Sequence, residues 1–350
     1  MLFMSPKRCA DSSWVVTAAR PTARPLPHSQ LSPTALDFDC NCLRSNAERK
    51  VFLKHDVVGA TLEGEGQVRI WYCSPSHTTR GGHTKTRYSL QKSDRFEFPE
   101  RQAAQRFVQE TQAAVSWWGR KQPPRVVAIV NPVSGRGSGA SIFSRQVLPV
   151  LRDAAGLVLE VHTTRHRGHA TEIVARLDLQ QVDLILYVGG DGTVFEGMQG
   201  LFSRPDWATA SRVPFAPVPT GSGNGLAASV GVFDALSAAF SVCKGRCQPL
   251  DVASVLQGAN RYYLLLSLTY GLMANLDIGT EHLRWMGEPR FTIGGLQEIL
   301  AARTYPLRVA VWPEETPPPP LSPPHPPHPP FLPPSPHAPH AAHGGLGPPP

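Results

Sequence analysis

No run in this sequence is apolar for long enough to cross a bilayer. The longest apolar stretch, Tyr262 to Leu276, is bounded by Arg261 and Asp277 and broken by Ser267, Thr269 and Gly271. A helical span needs about 20 apolar residues, so no transmembrane segment is expected. The 6 cysteines (Cys9, Cys40, Cys42, Cys73, Cys243, Cys247) form no disulfide ladder, and Cys243-x3-Cys247 lacks the second pair a zinc site would need. Reduced thiols in a cytosolic protein are the expectation. Lys/Arg-rich blocks with interleaved aromatics are missing too, which argues against nucleic acid as a partner. Lys plus Arg (34) exceeds Asp plus Glu (27) for a formal net charge of +7. That excess suits a soluble basic protein, or one drawn to anionic lipid surfaces and nucleotide phosphates.

The two ends read differently from the middle. In the first 35 residues Ser, Ala, Pro and Arg dominate and Asp11 is the sole acid. Residues 1–48 are therefore read as an extension, either unstructured or resembling a plastid or mitochondrial transit peptide. About half of the 36 prolines follow Thr316, among His and Ala with almost no charge. Such a segment buries too little to offset chain ordering, so 314–350 is expected to be a disordered tail. Its histidines (His325, His328, His337, His340, His343) fit low complexity better than metal binding.

Between the ends the pattern predicts three regions. Residues 49–120 carry strand-like runs at Gln67–Tyr72, Arg87–Leu90 and Arg95–Phe98. Pro99 then opens a helix with Ala103, Phe107, Thr111, Ala114 and Trp118 at helical spacing. Strands closed by a helix ending in Trp resemble a pleckstrin-homology-like module. Pro123-Pro124 breaks the chain, and residues 125–248 alternate strand and helix. Strands are expected at Arg125–Asn131, Leu157–Thr163, Val182–Val188 and Val213–Val218, with helices over Ser141–Asp153, Ala170–Leu177 and from the Gly-Gly-Asp-Gly turn to Phe202. That alternation implies right-handed crossovers and an open, mostly parallel α/β sheet. From 249 to 313 the texture turns β-rich, at Asp251–Leu256, Arg261–Thr269 and Leu307–Trp312.

Three Gly-rich turns each follow a predicted strand: Asn131-Pro-Val-Ser-Gly-Arg-Gly-Ser-Gly139, Gly189-Gly-Asp-Gly-Thr193 and Thr220-Gly-Ser-Gly-Asn224. In an open parallel sheet all three fall at the carboxyl edge, where ligands bind. Glycine admits close approach of phosphate, and helix N-termini favour anions. There is no Gly-x4-Gly-Lys-Ser/Thr, which excludes a P-loop NTPase. Glycines at 135, 137 and 139 fail the dinucleotide spacing, and no acid closes the second strand to meet a ribose. Asp191 stands out, since a carboxylate among phosphate donors opposes a nucleotide. It suits an acceptor hydroxyl, as general base, or a magnesium ion; its structural alternative is an N-cap for the helix at Thr193. Glu196, one turn on, either faces the same site or complements the helix dipole.

These stretches resemble the diacylglycerol-kinase-type catalytic domain and, within it, the sphingosine kinase family. The resemblance covers roughly 125–313. It is carried by Asn131-Pro, the Gly-Gly-Asp-Gly turn, Arg204-Pro-Asp-Trp207, Pro219-Thr-Gly-Ser-Gly-Asn-Gly-Leu-Ala-Ala-Ser229 and Gly287-Glu-Pro-Arg-Phe-Thr-Ile-Gly294. The last two favour sphingoid-base over ceramide kinases. The resemblance implies ATP contacts at Asn131, Pro132, Val133, Gly135, Arg136 and Gly137, and at Thr164, Arg165, His166, Arg167 and Gly168. It implies further ones at Gly189, Gly190, Gly192, Thr193, Glu196, Gly221, Ser222, Gly223 and Asn224, with Arg284 and Arg290 as basic phosphate ligands. Asp191 matches the general base. Asp277, with Ser267 and the turn Gly189–Gly192, matches the substrate site, where the carboxylate receives the lipid's amino and hydroxyl head group. The implied reaction is transfer from ATP, with Mg2+, to the primary hydroxyl of a sphingoid base, by a cytoplasmic enzyme peripherally attached to membrane. No metal ligand is assigned.

Departures accompany the match. Ser134-Gly-Arg-Gly stands where Gly-Gly-Lys-Gly is usual, and Asn275 where an acid is common. No aspartate follows Asp277, so the family's Asp-Gly-Glu segment has no counterpart and the β-sandwich that binds lipid is expected to be incomplete. A diacylglycerol or other lipid kinase, and a catalytically inactive lipid- or nucleotide-binding regulator, stay open as alternatives.

Overall fold

The structure, a computed structural model, describes residues 2–3, 14–19, 56–80, 83–98, 100–286 and 289–307. Almost all of them belong to one unit, Met1–Pro306. The proline-rich tail, most of the N-terminal extension and the expected strand to Trp312 lie outside the described residues.

Two short strands, β1 (Leu2–Phe3) and β2 (Trp14–Ala19), come first. An antiparallel sheet follows, with β3 (Val57–Glu63), β4 (Gln67–Arg80) and β5 (His83–Glu97) in the order β3-β4-β5. Helix α1 (Arg101–Val115) lies against it, and Ala60, Val68 and Ala104 fill the space between. The strands outrun the expected segments, and β3 was not foreseen. Its apolar half, Val57–Ala60, is wholly buried, so it lacks the alternation of a half-buried strand.

The α/β sheet contains β6 (Arg125–Val130), β7 (Val158–Thr163), β8 (Leu184–Gly189) and β9 (Phe215–Pro219), all parallel in the order β7-β6-β8-β9. Central strands β6 and β8 are buried on both faces, which is why they read as unbroken Val/Ile/Leu runs. Alternate residues divide between two cores. Val126, Ala128, Val130, Leu186 and Val188 meet Phe143, Val147, Leu151 and Phe240. Val127, Ile129, Ile185 and Tyr187 meet Ala170, Val174, Val194 and Met198 on the other side. The first crossover is helical from Ser134 rather than Ser141: α2 (Ser134–Gly137) and α3 (Gly139–Ile142) run into π-turns at Phe143–Val147 and Pro149–Ala154. The remaining helices are α4 (His169–Arg176), α5 (Asp191–Phe202), α6 (Trp207–Ala210), α7 (Gly225–Ser229) and α8 (Ala235–Lys244). Asp234 caps α8 by accepting the Ser237 N–H at 2.8 Å.

The last part is less β-rich than its composition suggests. Strands β10 (Val252–Gln257) and β11 (Asn260–Leu264) form a hairpin with β2 on the outer side of β10, and β12 (Leu268–Thr269) pairs with β1. Beyond Gly271 (φ +69°) the chain turns helical: α9 (Leu272–Gly279), a 3-10 segment Glu281–Met286, and α10 (Pro289–Ala301). Asp277, eight residues past the expected strand Arg261–Thr269, therefore sits inside a helix. Leu-Met-Ala-Asn-Leu lacks a β-branched residue and favours a helix once the glycine has redirected the chain.

The Arg204-Pro-Asp-Trp207 motif is structural. The Arg204 guanidinium donates to the carbonyls of Val174 (3.1 Å), Ala175 (3.2 Å) and Leu177 (2.8 Å) at the end of α4, and its other nitrogens hold Asp206. Cations at a helix C-terminus satisfy orphan carbonyls and complement the dipole. That guanidinium holds the Asp206 carboxyl below its usual range.

The N-terminal module shares the core of the α/β sheet. Val58, Cys73 and Trp117 are part of the same buried cluster as Val126 and Phe240. Trp117 Nε1 donates to Ala155 O and Trp118 Nε1 to Val242 O, both at 2.9 Å. Burial pushes the Cys73 and Cys243 thiols up to about 12, which leaves them protonated at neutral pH. A Cβ on Gly59 would come within 2.1 Å of Ala154 O, across the seam between β3 and the π-turn. Gly59→Ala is expected to cost about 1–3 kcal/mol by prying the seam apart, read as a lower denaturation midpoint. A midpoint equal to wild type would mean the module is only loosely docked.

Candidate active site

Strands β6, β8 and β9 end side by side, and each hands its backbone to a Gly-rich turn. The Asn131 N–H donates to Val188 O at 2.9 Å and the Thr220 N–H to Gly189 O at 3.1 Å, so the ladder continues one residue past the strands. The turns are then bolted together. Ser134 Oγ and Thr220 Oγ1 lie 2.6 Å apart, Asn131 Nδ2 donates to Thr193 Oγ1 at 3.3 Å, and the Asp191 N–H donates to Gly223 O at 3.1 Å. Ser134, Thr193 and Thr220 are buried. Asn224 closes its own turn, donating from Nδ2 to Gly221 O at 2.6 Å and accepting the Gly221 N–H at 3.1 Å.

Glycine is needed here for the turns to touch. A Cβ on Gly190 would lie 2.7 Å from Gly223 O, and one on Gly221 would lie 2.5 Å from Gly190 Cα. Gly135 combines a left-handed φ of +63° with 2.5 Å to Thr220 O. Gly192 is the exception. A Cβ there meets nothing within 4 Å and its φ is ordinary, so no described part of the chain requires glycine at that position. It is exposed in the first turn of α5, where free N–H groups and the helix dipole favour a phosphate.

Asp191 opens α5, with Gly190 as N-cap. Its carboxylate reaches across to α7: Oδ2 accepts the Gly225 N–H at 2.7 Å and Oδ1 the Leu226 N–H at 3.0 Å. The side chain thus caps the helix of the third turn, not the helix at Thr193. A carboxylate offers about four lone-pair sites, so two backbone bonds fix its orientation and leave capacity for a hydroxyl or a cation. It stands at the edge of a narrow apolar cleft lined by Val194, Phe195, Met198, Leu226, Tyr263, Leu265 and Leu266.

The other expected site residues divide into a group at this edge and a group on α9–α10. Thr164 is buried beside β6, its N–H on Val130 O at 2.9 Å; Arg165, His166 and Arg167 are exposed, and Gly168 (φ +84°) starts α4. Val133 is 75% exposed at the rim, with its N–H on Asn131 Oδ1. Pro132 and Glu196 are half-buried, while Gly137, Ser222, Gly223 and Ser267 are exposed. Arg136 lies in α2 and Arg284 in the 3-10 segment. Arg290 is buried at the start of α10, where Nη2 donates to Asp277 Oδ1 at 2.7 Å. The residues matched to phosphate and to head group therefore face each other. Asn275 donates to Tyr305 Oη at 2.7 Å and approaches Glu298 Oε2 at 3.4 Å. The Tyr305 hydroxyl, also bonded to Glu298, holds that carboxyl below its usual range.

Sequence reasoning missed Ser134, Thr220, Gly225 and Leu226 as structural members of the site. All four stand inside the quoted motifs; their small or polar character was the available signal. Among the described residues, His166, His169 and Glu172 place ligand atoms within 4.8 Å of one another. The group is a poor metal cradle. His169 Nδ1 accepts the Arg165 N–H at 3.0 Å, which puts the ring's proton on Nε2, and the two imidazoles stack at 4.7 Å. Magnesium prefers oxygen ligands in any case, and Asp191 is the carboxylate at the turns.

The glycine geometry predicts a contrast. Gly190→Ala must displace Gly223 and is expected to lower stability by about 1–3 kcal/mol. Gly192→Ala is expected to stay within about 0.5 kcal/mol of wild type, as for a substitution that meets no neighbour. Thermal denaturation of both variants checks this; equal losses would mean the turns are not packed as described.

Comparison with known proteins matches the same part of the chain. Residues 125–255 match the diacylglycerol kinase catalytic domain. A 197-residue stretch is 41% identical to sphingosine kinase 1 of Arabidopsis thaliana, covering 55% of this chain and 40% of that protein. Human sphingosine kinase 1 is 34% identical over 203 residues, 55% of this chain and 53% of its own. Sphingoid long chain base kinase 4 of Schizosaccharomyces pombe is 35% identical over 181 residues, 51% of this chain and 39% of its own. The chain spans about half or less of the length of these relatives. No helix among the described residues is long and apolar enough to cross a membrane. Over about half of its length, then, the chain is similar to sphingosine kinases, and residues 125–255 match the catalytic domain of diacylglycerol kinases.

Proposed function

We propose that the protein transfers the γ-phosphoryl group of ATP, with Mg2+, to the primary hydroxyl of a sphingoid base. The observation that carries this reading is the Asp191 carboxylate, fixed by the Gly225 and Leu226 N–H groups where three Gly-rich turns meet and beside an apolar cleft. A phosphate donor needs backbone N–H groups in the open, and exposed Gly135, Gly137, Gly192, Ser222 and Gly223 line the turns. Magnesium, when bound, supplies the charge neutralisation that phosphoryl transfer requires.

The chain's own part is positioning and one proton. The turns at Asn131–Gly137, Gly189–Thr193 and Gly221–Asn224 hold the phosphates, joined by Thr164–Gly168, Glu196 and Arg284. Asp191 accepts the proton of the acceptor hydroxyl as that oxygen attacks phosphorus in line. The cleft residues Phe195, Met198, Leu265 and Leu266 exclude water beside the attacking oxygen. Asp277 receives the cationic amine, with Ser267 nearby in sequence; this selects a sphingoid base over a neutral diacylglycerol. The protein works in the cytoplasm at a membrane surface, where such a lipid resides, with β3–β5 and α1 docked on the α/β domain.

Asp191→Asn is expected to lower kcat by about 10²–10⁴, measured with labelled ATP and sphingosine in mixed micelles. An unchanged rate would remove Asp191 from its role, and no transfer by the wild-type chain would favour a binding regulator. Asp277→Asn is expected to raise KM for sphingosine far more than KM for ATP. Equal effects on both would remove Asp277 from the head-group site.

A further inference from the structure

Gln199 ties the helix that carries Asp191 to the strand that leads to Ser267. On α5, Asp191, Val194, Phe195, Met198 and Gln199 recur at helical spacing and share one face. The first four form one wall of the apolar cleft, and Tyr263, Leu265 and Leu266 stand opposite them. Gln199 ends that face, about 12 Å along the axis from Asp191. Its carboxamide reaches the opposite wall: Nε2 donates to Tyr263 O at 2.8 Å, and Oε1 accepts the Tyr263 N–H at 3.0 Å. Nε2 also approaches the Phe195 carbonyl of its own helix at 3.2 Å. Strand β11 is the outer strand of its sheet, so the amide takes the place of a neighbouring strand on an open edge. The Tyr263 ring stacks on Phe202 at 4.4 Å beside it.

The same wall ends beside the chemistry. A Cβ on Gly225 would lie 3.4 Å from Asp191 Oδ2 and 3.7 Å from Leu266 Cδ1, which places Leu266 next to the carboxylate. Ser267 follows directly. Between Tyr263 and Ser267 only Leu264 is buried, and Leu266 and Ser267 are exposed. The position of this segment relative to Asp191 therefore depends on how Tyr263 is held. Two bonds from one planar amide fix direction as well as separation, which an apolar contact of the same size does not.

We infer that Gln199 is a positioning residue for the lipid acceptor: by pinning Tyr263 to α5 it holds the segment Leu265–Ser267 at a fixed distance from the Asp191 carboxylate. The inference rests on the lipid-kinase reading above. The nucleotide side does not depend on this clamp, since the Gly-rich turns are joined through Asn131, Ser134, Thr193 and Thr220.

Gln199→Met keeps the length of the side chain and removes both bonds. Gln199→Glu keeps an acceptor for the Tyr263 N–H but sets a second acceptor against the Tyr263 carbonyl. With labelled ATP and sphingosine, Gln199→Met is expected to raise KM for sphingosine about fivefold or more, with KM for ATP within about twofold of wild type. Gln199→Glu is expected to show the same split, and it decides the matter if Gln199→Met does not fold. Thermal denaturation gives the folded fraction to which rates are normalised. A lower kcat with both KM values unchanged is what a smaller folded fraction alone produces, and it would overturn the inference. Equal rises in both KM values, or wild-type kinetics, would overturn it too. Equilibrium binding of a fluorescent sphingosine analogue and of a fluorescent ATP analogue provides the same split without turnover. If wild type binds sphingosine yet transfers no phosphate, the kinase reading fails while the binding split still decides the role of Gln199. Equal sphingosine binding by wild type and both variants overturns the inference alone, and a wild-type chain that binds no sphingosine overturns both.

Discussion

The site depends on the direct contact of two backbones, Gly190 against Gly221. With a side chain at either position, the turns after β8 and β9 would separate, and the bond from the Asp191 N–H to Gly223 O would be lost with them. Asp191 could then no longer reach the N–H groups of Gly225 and Leu226, because its carboxylate bridges the same two turns. The Asp191 carboxylate, the Gly-rich turns and the start of α7 are thus held by one close approach. The glycines have two distinct physical duties: Gly135, Gly190 and Gly221 let protein touch protein, whereas Gly192 leaves room that no described side chain claims. A motif written as Gly-Gly-Asp-Gly conceals that difference.

The α/β half of the fold was legible because its residues obey one rule at a time. Strands β6 and β8 are buried on both faces and read as continuous apolar runs; α5 runs from Asp191 to Phe202 as its spacing predicts. The first crossover was less legible. Ser134–Gly137 looks like a loop by composition, yet it closes a helical turn once Ser134 is pinned to Thr220. Glycine content reports what the backbone is free to do, and a tertiary hydrogen bond decided among the options.

The N-terminal module shows a second limit. Parts of β4 and β5 and the helix were recognisable, but β3 and the module's dependence on the α/β domain were not. The helix stops at Val115, short of the expected Trp118, and the indole N–H groups of Trp117 and Trp118 beyond it donate to Ala155 and Val242 in the neighbouring domain. Lys244 of α8 likewise donates to Val57 O, with burial holding its ammonium below the usual range. Nothing in a local pattern distinguishes a tryptophan that closes its own module from one that seals a seam.

The region after Gly271 shows why composition misleads where a fold changes direction. Tyr262 to Leu276 is a single apolar run, but it serves as strand, bend, strand and helix in turn, because Gly271 at φ +69° breaks the β path. That change places Asp277 in the last turn of a helix, opposite Arg290. A carboxylate in the last turn of a helix is disfavoured by the dipole, and its persistence there requires a compensating cation. Arg290 provides it, with Nη2 on Asp277 Oδ1 at 2.7 Å. Burial of that pair against α9 and α10 means that neither partner can be altered without exposing or stranding the other's charge. Constraint on both residues therefore follows from the ion pair itself.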